Sequence, residues 1–337
     1  MNTLLKHIIP LIVALTVACS CSGSAAKAGT ETGAEAAPTK MEAAAFSADS
    51  AMEYARRQVA FGPRTPGSAA HDACRDYLVA QLRAFGADTV MVQSGSAKAW
   101  DGKTLPISNI FAQYNREATA RVILLAHYDT RPWADREPDE ARRNTPIDGA
   151  NDGASGVAVL LEIARQLQLK APEIGVDILL TDVEDYGAPD WAQADNQEYT
   201  WCLGADHFAS NMPYSTANLP RFGILLDMVG GRNARFHREY LSSRLAQSVT
   251  AKVWAVAKNL GLSSRFVEGE GNAITDDHLP LIRRGIPVCN IIENNAADTG
   301  TFPSTWHTLS DNIANLDPAA MADAGTVVLT IICNEKP

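Results

Sequence analysis

The chain has 337 residues, with 29 Lys and Arg against 39 Asp and Glu, so its formal net charge at pH 7 is −10. This acidic balance argues against a nucleic-acid partner, because phosphate binding depends on clustered Lys and Arg, and the sequence shows no such cluster. With 46% hydrophobic and 20% charged residues, the chain is neither disordered nor a multi-span membrane protein, and it is long enough to bury a full-sized core.

The first 18 residues have the features of an export signal. Lys6 precedes an apolar run from Ile8 to Leu15, and small residues follow as far as Ala18. The run is too short to span a bilayer. We therefore expect residues 1–18 to be a signal peptide and the folded part of the protein to lie outside the cytoplasm.

Cys19 follows the tripeptide at 16–18 in an arrangement that resembles the processing site of bacterial lipoproteins, although Thr16 stands where Leu is usual. Residues 19–45 are nearly all Ser, Gly, Ala, Thr and Glu, a composition that does not bury enough apolar surface to order itself. We expect a flexible tether that anchors the protein by lipid through Cys19 in the periplasm or cell envelope. Acylation at Cys21 and plain secretion are the alternatives.

Residues 46–337 contain no linker, repeat or low-complexity stretch, and we interpret them as one domain. The predicted helices are Ala48–Phe61, Ala69–Phe85, Gly156–Gln168, Leu241–Leu260 and Pro318–Ile332. The predicted strands are the short Thr89–Gln93 and Asn109–Tyr114 and four continuous apolar runs, Arg121–Ala126, Val176–Thr181, Phe222–Asp227 and Ile286–Ile292. Such runs are typical of strands buried on both faces. The alternation predicts an α/β fold, a mostly parallel mixed sheet with helices on both faces.

Ligands in open α/β sheets bind beyond the carboxyl ends of the strands. Imidazole or carboxylate groups follow each apolar run, and one more stands before a helix: His127 and Asp129, Glu184 and Asp185, Asp227, His307, and Asp152. Alone, Asp152 would be a helix cap and His127 a core histidine. Five such positions at one sheet edge need another explanation, because unpaired buried charges are costly.

A divalent cation would relieve that repulsion. Catalytic zinc uses a mixed set of imidazole and carboxylate ligands with one open position, whereas the histidines disfavour calcium. Glu184 and Asp185 are neighbours that leave their strand in different directions, so one can bind metal while the other faces substrate as a general base. The segment 131–148, rich in charge and Pro, is expected near the mouth of this site.

Six motifs resemble, in order and spacing, those of the zinc aminopeptidase superfamily, which includes the glutaminyl-peptide cyclotransferases. The motifs are His127-Tyr128-Asp129, Asn151–Gly156, Glu184-Asp185, Asp227, Asp277–Pro280 and Trp306–Asp311. The resemblance runs from about Ala48 to the C-terminus.

The resemblance implies one of two metal arrangements. A dizinc aminopeptidase would use Glu184 as the base for a metal-bound water. Its five ligands would be His127, Asp152, Asp185, Asp227 and His307, with Asp152 bridging. A glutaminyl cyclase would instead bind one zinc through Asp152, Asp185 and His307, with His127 and Asp129 in supporting positions.

Three further residues favour the cyclase. Trp306 precedes the last histidine as in the cyclases, where aminopeptidases usually carry Tyr or a similar residue. Trp191 matches by approximate position a second indole that lines the cyclase pocket. Asp276 matches the cyclase acid and stands where aminopeptidases typically carry Ser. The resemblance thus implies that Trp191 and Trp306 contact substrate, and an aminopeptidase that hydrolyses N-terminal residues remains the alternative.

The implied reaction converts an N-terminal glutamine of a peptide or protein to pyroglutamate and ammonia. Zinc would polarise the γ-carbonyl. Glu184 would take a proton from the α-amine and return it to the departing NH2 group. Asp227 and Asp276 would hold this proton transfer in place by hydrogen bonding. A lipid-anchored binding protein without activity is a third hypothesis, but Glu184 argues against it, since binding alone needs no base.

At some positions this chain carries a different residue from the animal cyclases. Asp185 replaces their glutamate ligand, Gly153 replaces a Ser and Asn290 replaces a His. Asp311 is expected to orient His307 or to cap the following turn.

The cysteines outside the signal and tether have no disulfide-framework spacing, and we predict buried free thiols at Cys74, Cys202, Cys289 and Cys333.

Overall fold

The residues that the computed structural model describes are 42–192, 200–294 and 300–337. The predicted signal peptide, Cys19 and the tether as far as residue 41 lie outside the described residues. The Ala44 amide already donates a hydrogen bond to Thr330 Oγ1 at 3.1 Å, so contacts with the domain begin just before the predicted boundary at residue 46. No helix in the described part of the chain is long and apolar enough to cross a membrane.

A six-stranded mixed sheet forms the centre of the fold. The strands of the described chain are β1 (Thr89–Lys98), β2 (Thr104–Tyr114), β3 (Arg121–His127), β4 (Gly175–Thr181), β5 (Gly223–Asp227), β6 (Phe236–Arg238), β7 (Phe266–Glu270) and β8 (Val288–Ile292). The sheet order is β1-β2-β4-β3-β5-β8, and β6 pairs separately with β7. β4, β3, β5 and β8 are parallel, whereas β1 and β2 pair antiparallel, as do β2 and β4. The predicted mostly parallel mixed sheet is confirmed.

Helices cover both faces of this sheet, as predicted. The α-helices of the described chain are α1 (Ala48–Val59), α2 (Ala69–Ala84), α3 (Ala154–Leu169), α4 (Leu203–Ser210), α5 (Tyr240–Leu245), α6 (Gln247–Asn259), α7 (His278–Ile282) and α8 (Pro318–Asn334). One hydrophobic core joins the sheet to α1, α2, α3, α6 and α8. A second core joins its opposite face to α4 and α7.

β3 shows why the continuous apolar runs become central strands. All seven of its residues are buried. Val122 and Leu124 enter the core shared with α3, while Ile123 and Leu125 enter the core shared with α4. Because side chains alternate across a strand, a strand covered on both faces needs apolar residues at successive positions.

Two secondary-structure predictions differ from the structure. β1 and β2 are ten and eleven residues long, since their pairing continues beyond the apolar stretch to Lys98 and Thr104. The single helix predicted at 241–260 is divided into α5 and α6, because Ala246 takes a non-helical conformation with φ −132° and ψ 40°.

The cysteines of the described chain are free thiols, as predicted, and three of them, Cys74, Cys202 and Cys289, are buried. Cys333 is exposed, so the prediction that it is buried was wrong. It lies at the end of α8, past the last residues that this helix buries.

Candidate metal centre and active site

Parallel strands bring the candidate residues to one edge of the sheet. His127 ends β3, Asp227 ends β5, and Glu184 and Asp185 follow β4. Since β3 lies between β4 and β5, the carboxyl ends of these strands are neighbours, as the general rule for ligand sites in such sheets requires. Asp152 joins them from the loop before α3.

Asp152, Asp185 and His307 form a buried group whose spacing suits a metal ion. His307 Nε2 lies 3.6 Å from Asp152 Oδ2 and 3.4 Å from Asp185 Oδ1. Ligand atoms about 2.0–2.2 Å from a tetrahedral zinc ion stand about this far apart. Asp185 Oδ2 is buried without a hydrogen-bond partner among the described residues, and a cation would satisfy it. The donor set and this orphaned oxygen therefore fit zinc.

A buried ion-pair network orients His307. Its Nδ1 lies 3.1 Å from Asp135 Oδ1, and Arg131 donates two hydrogen bonds to the Asp135 carboxylate at 2.7 and 2.6 Å. Burial alone would raise the pKa of Asp135, but Arg131 and His307 outweigh burial and lower that pKa. Arg131 also donates to Asp185 Oδ1 at 3.2 Å. A carboxylate at Nδ1 leaves Nε2 free for a metal, and neither Arg131 nor Asp135 was singled out from the sequence.

Asp311 holds the loop that carries Asp152. Its carboxylate accepts hydrogen bonds from the amides of Asn151 at 2.7 Å and Asp152 at 3.0 Å. The expectation that Asp311 orients His307 or caps the following turn was therefore wrong, because its side chain holds this loop and Asp135 lies beside His307. Gly153, next in the loop, has φ 103°, and a Cβ there would lie 2.7 Å from a backbone oxygen, so the turn requires glycine.

Asp129 holds the turn after β4. Its fully buried carboxylate accepts the backbone N–H of Glu184 and of Asp185, each at 3.1 Å. The side chains of Glu184 and Asp185 then point in different directions, as expected from the sequence. Asp185 belongs to the group with Asp152, whereas Glu184 lies with Asp276.

His127 lies between two carboxylates at the strand ends. Its Nε2 is 3.1 Å from Asp152 Oδ1 and 3.2 Å from Asp227 Oδ1. Burial alone would lower the pKa of His127, but these carboxylates and Asp129 outweigh it and raise that pKa well above its usual value. For the carboxyl group of Asp227, burial has the opposite effect and raises the pKa to about 6, and the nearby charge of Asp152 adds to this shift.

A cavity of about 330 Å³ opens over these groups. The carboxylates of Asp152, Asp185, Glu184, Asp227 and Asp276 line it, together with His307. Apolar side chains form much of the remaining wall, chiefly Met228, Ile274, Ile292, Phe302, Trp201 and Trp306, and polar residues such as Asn272 and Thr275 complete it. The cavity therefore combines acidic groups that suit a cation with a largely apolar remainder.

Two tryptophans lie flat beside His307. The ring of Trp306 is 3.7 Å from that of His307, and the ring of Trp201 is 5.9 Å from it at an interplanar angle of 15°. Gly187 permits the second contact, since a Cβ there would meet the Trp201 ring at 2.0 Å. Both tryptophans line the cavity.

Trp191 does not line this cavity. Its side chain is 48% exposed and borders a separate depression with Asp135 and Arg136. Trp201, ten residues further along, occupies the wall of the cavity instead. The prediction for Trp191 rested on an approximate position, and no motif in the sequence distinguishes Trp191 from Trp201.

Asn290 fixes Asp276 in the wall of the cavity. Asn290 Nδ2 donates to Asp276 Oδ2 at 2.6 Å. Burial and then the nearby Asp227 raise the pKa of Asp276 to about 7. Burial also raises the pKa of Glu184 well above its usual value, with Asp276 among the charges that add to the shift. These buried acids favour holding protons.

The family model described as Peptidase family M28 matches residues 109–332, more than half of the chain. The chain belongs to peptidase family M28. Its fold is the zinc aminopeptidase-like α/β fold, as the sequence motifs imply.

Solved structures within this fold are similar over nearly all of the described domain. A Bacteroides thetaiotaomicron glutaminyl cyclase, in complex with N-acetylhistamine, is 45% identical, with 88% of this chain and 100% of that chain covered and a TM-score of 0.84. A structure named as a leucine aminopeptidase precursor from the same species is also 45% identical, with the same coverage and a TM-score of 0.83. A Bos taurus glutaminyl-peptide cyclotransferase is 26% identical over 301 residues, covering 80% of this chain and 77% of that protein.

Proposed function

We propose that this chain is a glutaminyl-peptide cyclotransferase, which converts the N-terminal glutamine of peptides or proteins to pyroglutamate and releases ammonia. One observation carries the proposal. One cavity holds a metal-binding group and, separately, the buried acids Glu184 and Asp276, in a chain that is 45% identical to a glutaminyl cyclase whose whole chain in the solved structure is covered.

Zinc is the cofactor that this site fits, and we propose one ion held by Asp152, Asp185 and His307. When bound there, zinc supplies Lewis-acid polarisation of the substrate's γ-carbonyl group. The protein's own part is to keep the three ligands in place. Asp135 fixes the ring of His307 and Arg131 fixes the carboxylate of Asp185, which are the supports that metal ligands generally need.

Glu184 is the proton carrier of the proposed reaction. The α-amine must lose a proton as its nitrogen attacks the γ-carbonyl carbon, and the departing NH2 group must gain one. A carboxylate whose pKa burial raises accepts the first proton readily and can return it to the leaving group. Asp227 and Asp276, both buried beside the cavity, would hold the proton on that path by hydrogen bonding.

The wall of the cavity favours cyclisation over hydrolysis. Nucleophile and electrophile belong to one glutamine residue, so the enzyme gains most by folding that side chain back and excluding water. Trp201 and Trp306 are the side chains suited to this task, because they flank His307 at the metal group. We propose Trp201, in place of Trp191, as the second indole of the substrate pocket.

A dizinc aminopeptidase is the second candidate, and one observation favours it. His127, Asp152 and Asp227 form another group within metal-binding distance. In the structure, however, His127 Nε2 lies within hydrogen-bond distance of both carboxylates, an arrangement that accounts for these residues without a second ion. Two zinc ions per chain would support this candidate.

Export and lipid anchoring through Cys19, in the periplasm or cell envelope, remain part of the proposal. They are supported by the charged start, the short apolar run and the Cys that follows it. Mass analysis of the mature N-terminus tests them. An acylated Cys19 is expected, and an unmodified N-terminus elsewhere would contradict the anchor.

The test of the function compares Glu184→Gln with Glu140→Gln, a change at an exposed glutamate of a surface turn. Glu184→Gln should bind zinc as the wild type does but lose cyclisation of a Gln-initiated peptide by about 100-fold or more, because general acid–base groups contribute about that much. Glu140→Gln should match the wild type. Full cyclising activity in Glu184→Gln would overturn the proposed role.

A further inference from the structure

The backbone of Glu184 is fixed on both sides of the turn after β4. Its N–H donates to Asp129, and its C=O accepts the N–H of Cys202 at 3.0 Å. A parallel bond joins the N–H of Leu203 to the C=O of Val183 at 3.0 Å. The segment that begins at Cys202 is therefore pinned against the turn that carries Glu184.

The carboxylate of Glu184 has a single hydrogen-bond partner among residues 42–192, 200–294 and 300–337. Cys202 Sγ lies 3.3 Å from Glu184 Oε1 and donates its S–H to it. Both side chains are buried, Cys202 at 3% exposure. Burial raises the pKa of this thiol well above its usual value, so the sulfur keeps the proton that it donates.

We propose that Cys202 is a positioning residue for the reaction, whose S–H holds one oxygen of the Glu184 carboxylate so that this group keeps one orientation in the cavity. The inference rests on the proposed function, in which Glu184 carries the proton. Nothing in the sequence motifs points to Cys202, because it lies outside all six of them.

A thiol suits this position because its S–H group can donate one hydrogen bond and so set the direction of the carboxylate. The small apolar body of Cys also fills the buried space behind the base.

The backbone geometry makes Cys202 a good place for a clean substitution. Its φ is 60°, in the left-handed region, and Ala and Ser carry the same Cβ and so meet the same backbone strain. The two backbone bonds that pin the segment do not involve the side chain. At Gly204 a Cβ would lie 1.8 Å from the Asp182 carbonyl oxygen, which shows how closely the two backbones approach.

The experiment measures kcat and KM for a Gln-initiated peptide in zinc-loaded protein carrying Cys202→Ala, Cys202→Ser or Cys74→Ala. Cys74 is also a fully buried free thiol, on α2, and serves as the matched control. In Cys202→Ala, kcat should fall by about 3- to 10-fold, the loss that one hydrogen bond is worth, with KM within about twofold. Cys202→Ser keeps a donor and should recover most of that loss.

Zinc content and thermal unfolding, measured on the same samples, separate positioning from folding. The proposal expects both to stay close to wild type in Cys202→Ser and expects Cys74→Ala to lose stability without losing kcat. It is overturned if Cys202→Ala keeps wild-type kcat, or if Ser fails to restore kcat while remaining folded and zinc-loaded. If the wild type itself does not cyclise the peptide, the proposed function fails, and that outcome is distinguishable from a failure of the Cys202 proposal alone.

Discussion

Replacing Asp129 by asparagine should damage both stability and the candidate metal site, although Asp129 lines neither the cavity nor the metal group. The Asp129 carboxylate is fully buried and accepts two adjacent backbone N–H groups, those of Glu184 and Asp185, each at 3.1 Å. Asparagine has the same shape, but one of its two terminal atoms is an NH2 donor. One of the two backbone N–H groups must then face another donor.

The expected loss of stability follows from the one backbone N–H group that is left without an acceptor. One buried N–H left without an acceptor costs about 1–3 kcal/mol, so Asp129→Asn should lower the free energy of unfolding by about that amount. The same N–H groups fix the turn that presents Asp185 to the metal, and loss of such a support typically weakens metal binding or activity by about 10- to 100-fold.

The assay is urea unfolding of metal-free protein together with a zinc competition titration against a chelator. Asp139→Asn is the matched control, because Asp139 also accepts one backbone N–H, from Ala141 at 3.1 Å, but on an exposed turn. Asp139→Asn should change neither the free energy of unfolding nor the zinc affinity measurably. If Asp129→Asn unfolds and binds zinc as the wild type does, the supporting role of these two hydrogen bonds is refuted.

Further predictions concern thiols, pH and the tryptophans. In native protein a thiol reagent should label Cys333 and spare Cys74, whose pKa burial raises to about 11; peptide mapping that finds Cys74 labelled first would contradict the fold. Burial raises the pKa of Asp276 to about 7, so its contribution to the stability of metal-free protein is present below about pH 4 and is lost as the pH rises through 7. Unfolding titrations should show that fall, and Asp276→Asn should reduce it. Trp201→Ala should raise KM about tenfold or more, since large buried aromatic contacts are worth over about 1.4 kcal/mol, whereas Trp191→Ala should leave KM within about twofold; the reverse result would reinstate Trp191.

The central strands could be predicted from the sequence because a strand that is buried on both faces appears as a continuous run of apolar residues. A strand such as β3, with seven buried residues, must be apolar throughout, apart from the groups at its ends. The pairs β1–β2 and β6–β7 lack that pattern. β1 is an edge strand with mixed burial, so its length is set by pairing with β2, and no periodicity reveals it.

The candidate ligands could be found because parallel strands end at one edge, so the residues that follow successive apolar runs in the sequence become neighbours in space. The residues that support them follow no such rule. Asp135 and Arg131 reach His307 and Asp185 from a charged loop that the sequence places near the site without assigning it contacts. Trp201 lines the cavity although it belongs to none of the sequence motifs.

The proposed cyclisation is tested by incubating the purified protein with one Gln-initiated and one Leu-initiated peptide and following peptide mass with and without a zinc chelator. We expect the Gln peptide alone to lose the mass of one ammonia, and we expect the chelator to stop this loss. Release of free leucine from the second peptide, with the Gln peptide not cyclised, would contradict the proposal and would favour the dizinc aminopeptidase, with His127 and Asp227 as metal ligands.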